Sequence, residues 1–174
     1  MLIGHIPAGY LLTRRIERTL GLYGWMWLGL AASVFPDVDL LWFYLVDHRR
    51  AMHHHYWTHR PFDWLLIALA WLGAAALFRL PRLRLAGLVV LPNVFLHMVL
   101  DSIVGKIDWL YPVKGRGYSL FAVPATHKGW YMANYFLHWT FAFEVIVVAW
   151  AIAALARDRR AQRFATAAAS SSYR

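Results

Sequence analysis

The chain has 174 residues, of which 60% are hydrophobic and 16% charged, and its formal net charge is +9. Soluble domains have roughly 45–50% apolar and about 25% charged residues, so this composition excludes an ordinary soluble globule, a disordered chain and a collagen-like fibre. There is no cysteine, which excludes disulfides, thiol catalysis and zinc–thiolate or iron–sulfur sites. The length suits one domain, which we place at residues 1–160.

A short apolar segment, residues 1–13, opens the chain. It is too short to cross a bilayer, and neither a preceding basic residue nor a following small-residue cleavage site marks it as a signal peptide. We predict a short N-terminal half-helix embedded in a bundle.

Longer apolar runs follow, and each approaches the ~20 residues that cross about 30 Å of hydrocarbon. Since no water is available there for backbone N–H and C=O groups, each run is predicted to be a helix. The fold class is therefore all-α, a polytopic membrane helix bundle with about four transmembrane helices plus the half-helix. The four runs are residues 20–46, 62–80, 85–104 and 135–156.

Basic residues at the ends of these runs set the predicted orientation. Ten arginines lie in one set of connections and seven basic residues in the opposite set. The positive-inside rule places the ten-arginine set on the cytoplasmic side of the membrane. The same placement explains the positive charge without nucleic acid. The small, polar segment 161–174 is predicted to be a disordered cytoplasmic tail.

Several histidines and aspartates then fall at one depth, toward the outer face. Charged groups inside apolar helices are costly and are functional candidates by default. Because no Lys or Arg lies in the runs that carry the carboxylates Asp37, Asp39 and Asp101, a divalent cation is the predicted partner. The candidate metal ligands are His5, Asp37, Asp39, His54, His59, His97 and Asp101.

His97 and Asp101 are four residues apart, so on a helix both side chains project from one face. Together they could grip one metal ion, or one side chain could orient the other. A capping Asp beside a hydrogen-bonded core histidine explains the pair equally well. Asn93 extends the same stripe by one turn.

Asp37 and Asp39 follow Pro36, which kinks or ends the first long run. A continuous helix would point two residues at this spacing in nearly opposite directions. We therefore expect one of them to bind metal and the other to support a ligand or cap a helix. An Asp N-cap alone explains one carboxylate but not both.

The tract from His53 to His59 is the densest group of histidines, and short His-rich tracts are typical of metal sites. An interfacial loop is the structural alternative, and which of His53, His54 and His55 binds metal stays open. Glu144 is interpreted as a neutral carboxylic acid bonded to Thr140, with a general base or a residue that supports a metal ligand as the alternatives. The roles of His127 and His138 are ambiguous.

The order of these motifs resembles the membrane-bound metal-dependent hydrolase family, small bacterial multi-pass proteins distantly similar in motif to zinc-dependent phospholipase C. The shared pattern is His5, Pro36-Asp37-Val38-Asp39, His54 through Thr58-His59, and His97 through Asp101 with Gly105 and Pro112. One departure is that His55-Tyr56 replaces the usual Arg-Gly, and Arg60 stands where Ser is common. The resemblance implies metal-dependent hydrolysis by an integral protein of a bacterial inner membrane.

The resulting prediction is a membrane-embedded hydrolase that acts on a phosphoester or lipid-like substrate near the outer, periplasmic face. Seven candidate ligands exceed what one four-coordinate ion uses, so we expect two divalent ions, zinc first, with manganese or iron as alternatives. Asp37 and Asp101 are the candidate catalytic residues, as bridge or base. The alternative is a non-enzymatic membrane metal-binding or transport protein.

Overall fold

The computed structural model describes residues 3–50, 53–114, 116–124 and 131–171. These described residues form α-helices and no β-strand, which confirms the all-α prediction. The helices are α1 (His5–Leu20), α2 (Met26–Val34), α3 (Asp39–Leu45), α4 (Pro61–Leu77), α5 (Pro81–Asp101), α6 (Tyr131–Phe136) and α7 (Phe141–Ser171).

Helices α1, α2 and α5 pack against one another and build the part of the bundle that holds the site. The buried face of α1 repeats every four residues, as a helix requires, and its side chains are small or polar. A Cβ atom on Gly29 of α2 would overlap the Thr13 side chain, so the two backbones approach closely there. Small residues permit such contacts between helices in membranes.

The N-terminal helix is longer than the half-helix predicted for residues 1–13. It continues to Leu20 and ends at Gly21, whose left-handed backbone closes the last turn. A contact with α7 stabilises the extended part of the helix, because the Arg14 guanidinium donates two hydrogen bonds of 2.5 and 2.6 Å to Asp158 of α7. Arg14 lowers the pKa of the Asp158 carboxyl to about 2. The end of α1 is therefore fixed by an ion pair.

Helices α1 and α7 run side by side in the same direction. Gly4, just before α1, contacts Glu144 at the start of α7. Further along both helices, Arg14 of α1 contacts Asp158 of α7. The two arginine-rich ends, predicted to share the cytoplasmic side, are thus adjacent.

The first long run is a broken helix. A 3-10 turn, Phe35–Val38, separates α2 from α3, and it contains Pro36 and Asp37. Helix continues on both sides, so Met26–Leu45 remains long and apolar enough to cross a membrane.

The predicted count of four transmembrane helices is not confirmed. Within the described residues, two segments are long and apolar enough to cross a membrane, Met26–Leu45 and Pro81–Asp101. Helix α4 is apolar but has 17 residues. The fourth run is divided, because α6 ends at Phe136 and α7 begins at Phe141.

The C-terminal segment also differs from the prediction of disorder from residue 161. Helix α7 continues through Ser171. Alanine is the strongest helix former, and residues 161–169 contain five alanines, a composition that the tail interpretation underweighted.

The close contact at Gly29 gives a test of the fold. Gly29→Ala places a methyl group on Thr13 and is expected to destabilise the protein by about 1–3 kcal/mol. Thermal unfolding in detergent measures the change. Gly73→Ala in α4 is the matched control, since a Cβ atom there meets nothing within 4 Å, and alanine in place of an exposed helix glycine is expected to stabilise by up to ~1 kcal/mol. Equal effects of both substitutions would contradict the packing.

Candidate metal centre

Three segments distant in sequence bring four potential ligands together. Asp37 comes from the 3-10 turn in the broken helix, and His59 ends a second 3-10 turn, Trp57–His59, before α4. His97 and Asp101 come from the last turns of α5. One nitrogen or oxygen atom from each of the four lies within 4.8 Å of those from the others.

The shortest separations lie around the Nε2 atom of His97. This atom is 3.0 Å from Asp101 Oδ2 and 3.2 Å from His59 Nε2. Asp37 Oδ1 completes the group, 3.6 Å from His97 Nε2 and 3.7 Å from His59 Nε2. Four potential metal-binding atoms, one each from Asp37, His59, His97 and Asp101, therefore lie close together, and we call these four residues the cluster.

Hydrogen bonds on the far side of each ring fix both histidines. Nδ1 of His59 lies 2.6 Å from Asp39 Oδ2, and Nδ1 of His97 lies 2.8 Å from the carbonyl oxygen of Ser33. Carboxylate and carbonyl oxygens only accept, so each Nδ1 carries the proton. Both Nε2 lone pairs then point into the cluster, the arrangement of histidines that bind metal.

Asp39 is itself held by a second hydrogen bond. The hydroxyl of Thr58 donates to Asp39 Oδ2 over 2.5 Å, and the Thr58 carbonyl accepts from the indole nitrogen of Trp64 over 2.8 Å. Asp37 and Asp39 thus reach opposite sides of the His59 ring. One of these two carboxylates was predicted to support a metal ligand, and Asp39 takes that position because it holds the His59 ring.

The electrostatics of the cluster favour a bound cation. Two Nε2 atoms and two carboxylate oxygens face one another in a largely buried space, where a positive charge reduces the repulsion between the carboxylates. Burial alone would lower the pKa of the His59 imidazole, but the surrounding carboxylates, led by Asp101, raise it to about 10. The position therefore favours a cation, either a proton on the imidazole or a metal ion that takes the proton's place.

Two further predicted ligands lie at the edges of the cluster. His5 Nε2 is 3.1 Å from Asp101 Oδ1, and the His5 ring stacks on His97 with centroids 3.8 Å apart. His54 Nε2 is 3.6 Å from Asp101 Oδ2. All seven predicted ligands are thus gathered around Asp101 and His59, four in the cluster and three at its margin.

Accessibility differs sharply within the cluster. The side chains of His59, His97 and Asp101 are at most 3% exposed, whereas that of Asp37 is 30% exposed. His54, at the margin, is 20% exposed. The cluster is therefore reached from the side of Asp37 and His54.

Other residues singled out in the sequence have different partners. His138 pairs with Thr140 over 2.8 Å. Glu144, interpreted as bonded to Thr140, accepts hydrogen bonds from the backbone N–H groups of Ile3 and Gly4 and from the hydroxyl of Tyr135. His127 and the side chain of His53 lie outside the described residues.

Asn93, placed on the stripe of His97, binds Thr13 over 3.0 Å. It joins α5 to α1 and supplies no atom to the cluster.

The sequence interpretation missed Asp108. This residue is 3% exposed, and its Oδ2 lies 2.8 Å from Nδ1 of His55. Asp108 lies in the connection after α5, outside every apolar run, and a charged side chain in such a connection is usually exposed to solvent. His55 is thus paired with Asp108, whereas His54 and His59 lie 3.6 and 3.5 Å from Asp101 Oδ2.

Comparison with known proteins identifies the family. The sequence model of the YdjM inner membrane protein family matches residues 1–170. The chain belongs to the YdjM inner membrane protein family. No curated protein and no solved structure matches the chain. Membership confirms a membrane protein, while these comparisons lend no support to the finer resemblance to metal-dependent hydrolases or phospholipase C.

The geometry predicts how metal binding depends on individual residues. His97→Ala or Asp101→Ala removes a donor atom and is expected to abolish most of the metal that copurifies with the protein, as measured by elemental analysis. Asp39→Ala leaves the four donors in place but frees the His59 ring, and should weaken affinity by about 10–100-fold. Competition with a chromophoric chelator measures this difference.

His138→Ala is the control for that series, since His138 pairs with Thr140 away from the cluster. It should keep the metal content of the wild type. Full occupancy in the His97 and Asp101 variants would place the site elsewhere.

Proposed function

We propose that this YdjM-family protein is a membrane-embedded metal-dependent hydrolase that uses the cluster of Asp37, His59, His97 and Asp101. One observation supports this above all: both histidines are locked by Nδ1 hydrogen bonds, so that their Nε2 lone pairs meet two carboxylates at one point. Such preorganisation is typical of metal sites and is more than a buried hydrogen-bond network needs.

The donor set suits a divalent ion of intermediate hardness. Imidazole binds zinc, iron and manganese, and the two carboxylates are compatible with each of them. When bound, such an ion would polarise a phosphoryl or acyl oxygen and acidify a water molecule toward neutral pH. Zinc is our first choice, with manganese and iron as alternatives.

The two oxygens of Asp101 favour a second ion. Oδ2 faces His97, while Oδ1 lies 3.1 Å from His5 on the other side. A carboxylate that divides its oxygens in this way is suited to bridging, with His5 as a donor to the second position. If two ions bind, Asp101 would be the residue that holds both, and the more exposed Asp37 would serve as the base.

The accessible side of the cluster favours a lipid-like substrate. Asp37 lies in a membrane-spanning segment between Phe35 and Val38, which are 43% and 46% exposed. Large apolar side chains exposed on such a segment face lipid. A phosphoester with an acyl chain would approach Asp37 from the bilayer and leave the chain in the hydrocarbon.

The position of Asp101 supports a site at headgroup depth. Helix α5 has 21 residues, which span about 30 Å, the thickness of the hydrocarbon core. Asp101 ends this helix, so the cluster lies near one membrane boundary. The arginine distribution supports the outer, periplasmic boundary.

Enclosure of the cluster favours one competing function. His59, His97 and Asp101 are almost inaccessible to a substrate. The same donors would therefore also suit a non-enzymatic metal-binding or transport protein. Stoichiometric metal without hydrolysis of any ester would favour that alternative.

Activity in lipid nanodiscs tests the hydrolase. We expect release of phosphate or alcohol from a long-chain phospholipid, dependent on zinc, manganese or iron, and abolished by a chelator. Asp37→Asn removes the base and should lower the rate by about 10²–10⁴-fold. Asp63→Asn, in the first turn of α4, is the control and should leave the rate unchanged.

The same preparation tests the substrate class. A long-chain phosphoester in the bilayer should be hydrolysed faster than p-nitrophenyl phosphate in water. Absence of activity on both substrates with all three metals would refute the enzyme, whereas a preference for the soluble ester would refute only entry from the bilayer.

A further inference from the structure

We propose that Glu144 is a positioning residue of the metal centre, which fixes the backbone before α1 so that His5 reaches Asp101. The inference rests on the proposed function, because it needs the cluster to bind metal. It assigns a purpose to a buried carboxylate that contributes no atom to the cluster.

Glu144 is fully buried near the start of α7. Its Oε2 atom accepts hydrogen bonds from the backbone N–H groups of Ile3 over 2.6 Å and of Gly4 over 2.9 Å. Its Oε1 atom accepts from the hydroxyl of Tyr135. A buried carboxylate is destabilising unless hydrogen bonds compensate it, and here both oxygens are bound.

The N–H groups that Glu144 binds lie at the start of a helix. The first N–H groups of a helix have no partner within it and require a cap. No side chain at Gly4 caps α1. A carboxylate from α7 takes that place, about 140 residues away in sequence, and its negative charge also suits the positive end of the helix dipole.

His5 is the next residue after Gly4 and the first of α1. Its side chain is 4% exposed, its Nε2 lies 3.1 Å from Asp101 Oδ1, and its ring stacks on His97 at an interplanar angle of 16°. A shift of the Gly4 backbone would therefore move His5 directly. The contacts that lead from α7 to the cluster therefore pass in order through Glu144, Gly4, His5 and Asp101.

Glu17 provides a matched control. It is the other glutamate of the chain, it is also buried, and it also accepts a backbone hydrogen bond, from Trp25 N over 2.8 Å. It lies three turns along α1 from His5. Loss of Glu17 removes the same chemistry without disturbing the start of α1.

Absorption of the Co²⁺-substituted full-length protein in detergent tests the proposal, since the d–d bands report the ligand geometry. Glu144→Ala should reproduce the altered bands of His5→Ala and weaken Co²⁺ affinity by about 10–100-fold. Glu144→Gln keeps an acceptor for both N–H groups and should restore the wild-type bands. Glu17→Ala should have wild-type bands even where its thermal stability falls.

Each outcome decides a separate point. Wild-type bands in Glu144→Ala, with a loss of stability like that of Glu17→Ala, would show a purely structural role and overturn the proposal. If the alanine variant does not fold, Glu144→Asp decides, because it withdraws the carboxylate by one methylene: altered bands support positioning and wild-type bands overturn it. A wild-type protein that binds no Co²⁺ overturns the metal centre itself.

Discussion

The structure depends on the neutralisation of one buried carboxylate. Asp101 ends an apolar helix, is 2% exposed, and lies within 3.6 Å of four imidazoles, those of His5, His54, His59 and His97. A charge in such surroundings is tolerated only with partners of opposite sign. The start of α1, the histidine tract before α4 and the end of α5 each bring an imidazole to this carboxylate.

The other acids in the bundle obey the same constraint by different means. Glu144 and Glu17 bind backbone N–H groups at turns or helix starts, and Asp158 binds the guanidinium of Arg14. These contacts fix both ends of α1 against its neighbours. The carboxylates of the cluster differ in kind from these acids, because they lie beside imidazoles, which can bind a metal ion together with a carboxylate.

How far the sequence predicts this molecule depends on the range of the interaction. The helical spacing of His97 and Asp101, and the free-energy cost of charge in apolar runs, were sufficient to predict a joint His and Asp site. The partner of Glu144 could not be predicted, because a contact across 140 residues leaves no local pattern. The break in the first run was predicted from Pro36, but the separate positions of Asp37 and Asp39 required the 3-10 geometry.

The departures from the hydrolase-like motif lie at the margin of the cluster rather than inside it. His55, in place of the usual Arg, pairs with Asp108, and Arg60, in place of Ser, lies 4.4 Å from the ring centroid of Tyr111. Both partners belong to the connection after α5. Since neither His55 nor Arg60 supplies an atom to the four-donor cluster, these two departures concern the surroundings of the cluster rather than the atoms that would bind an ion.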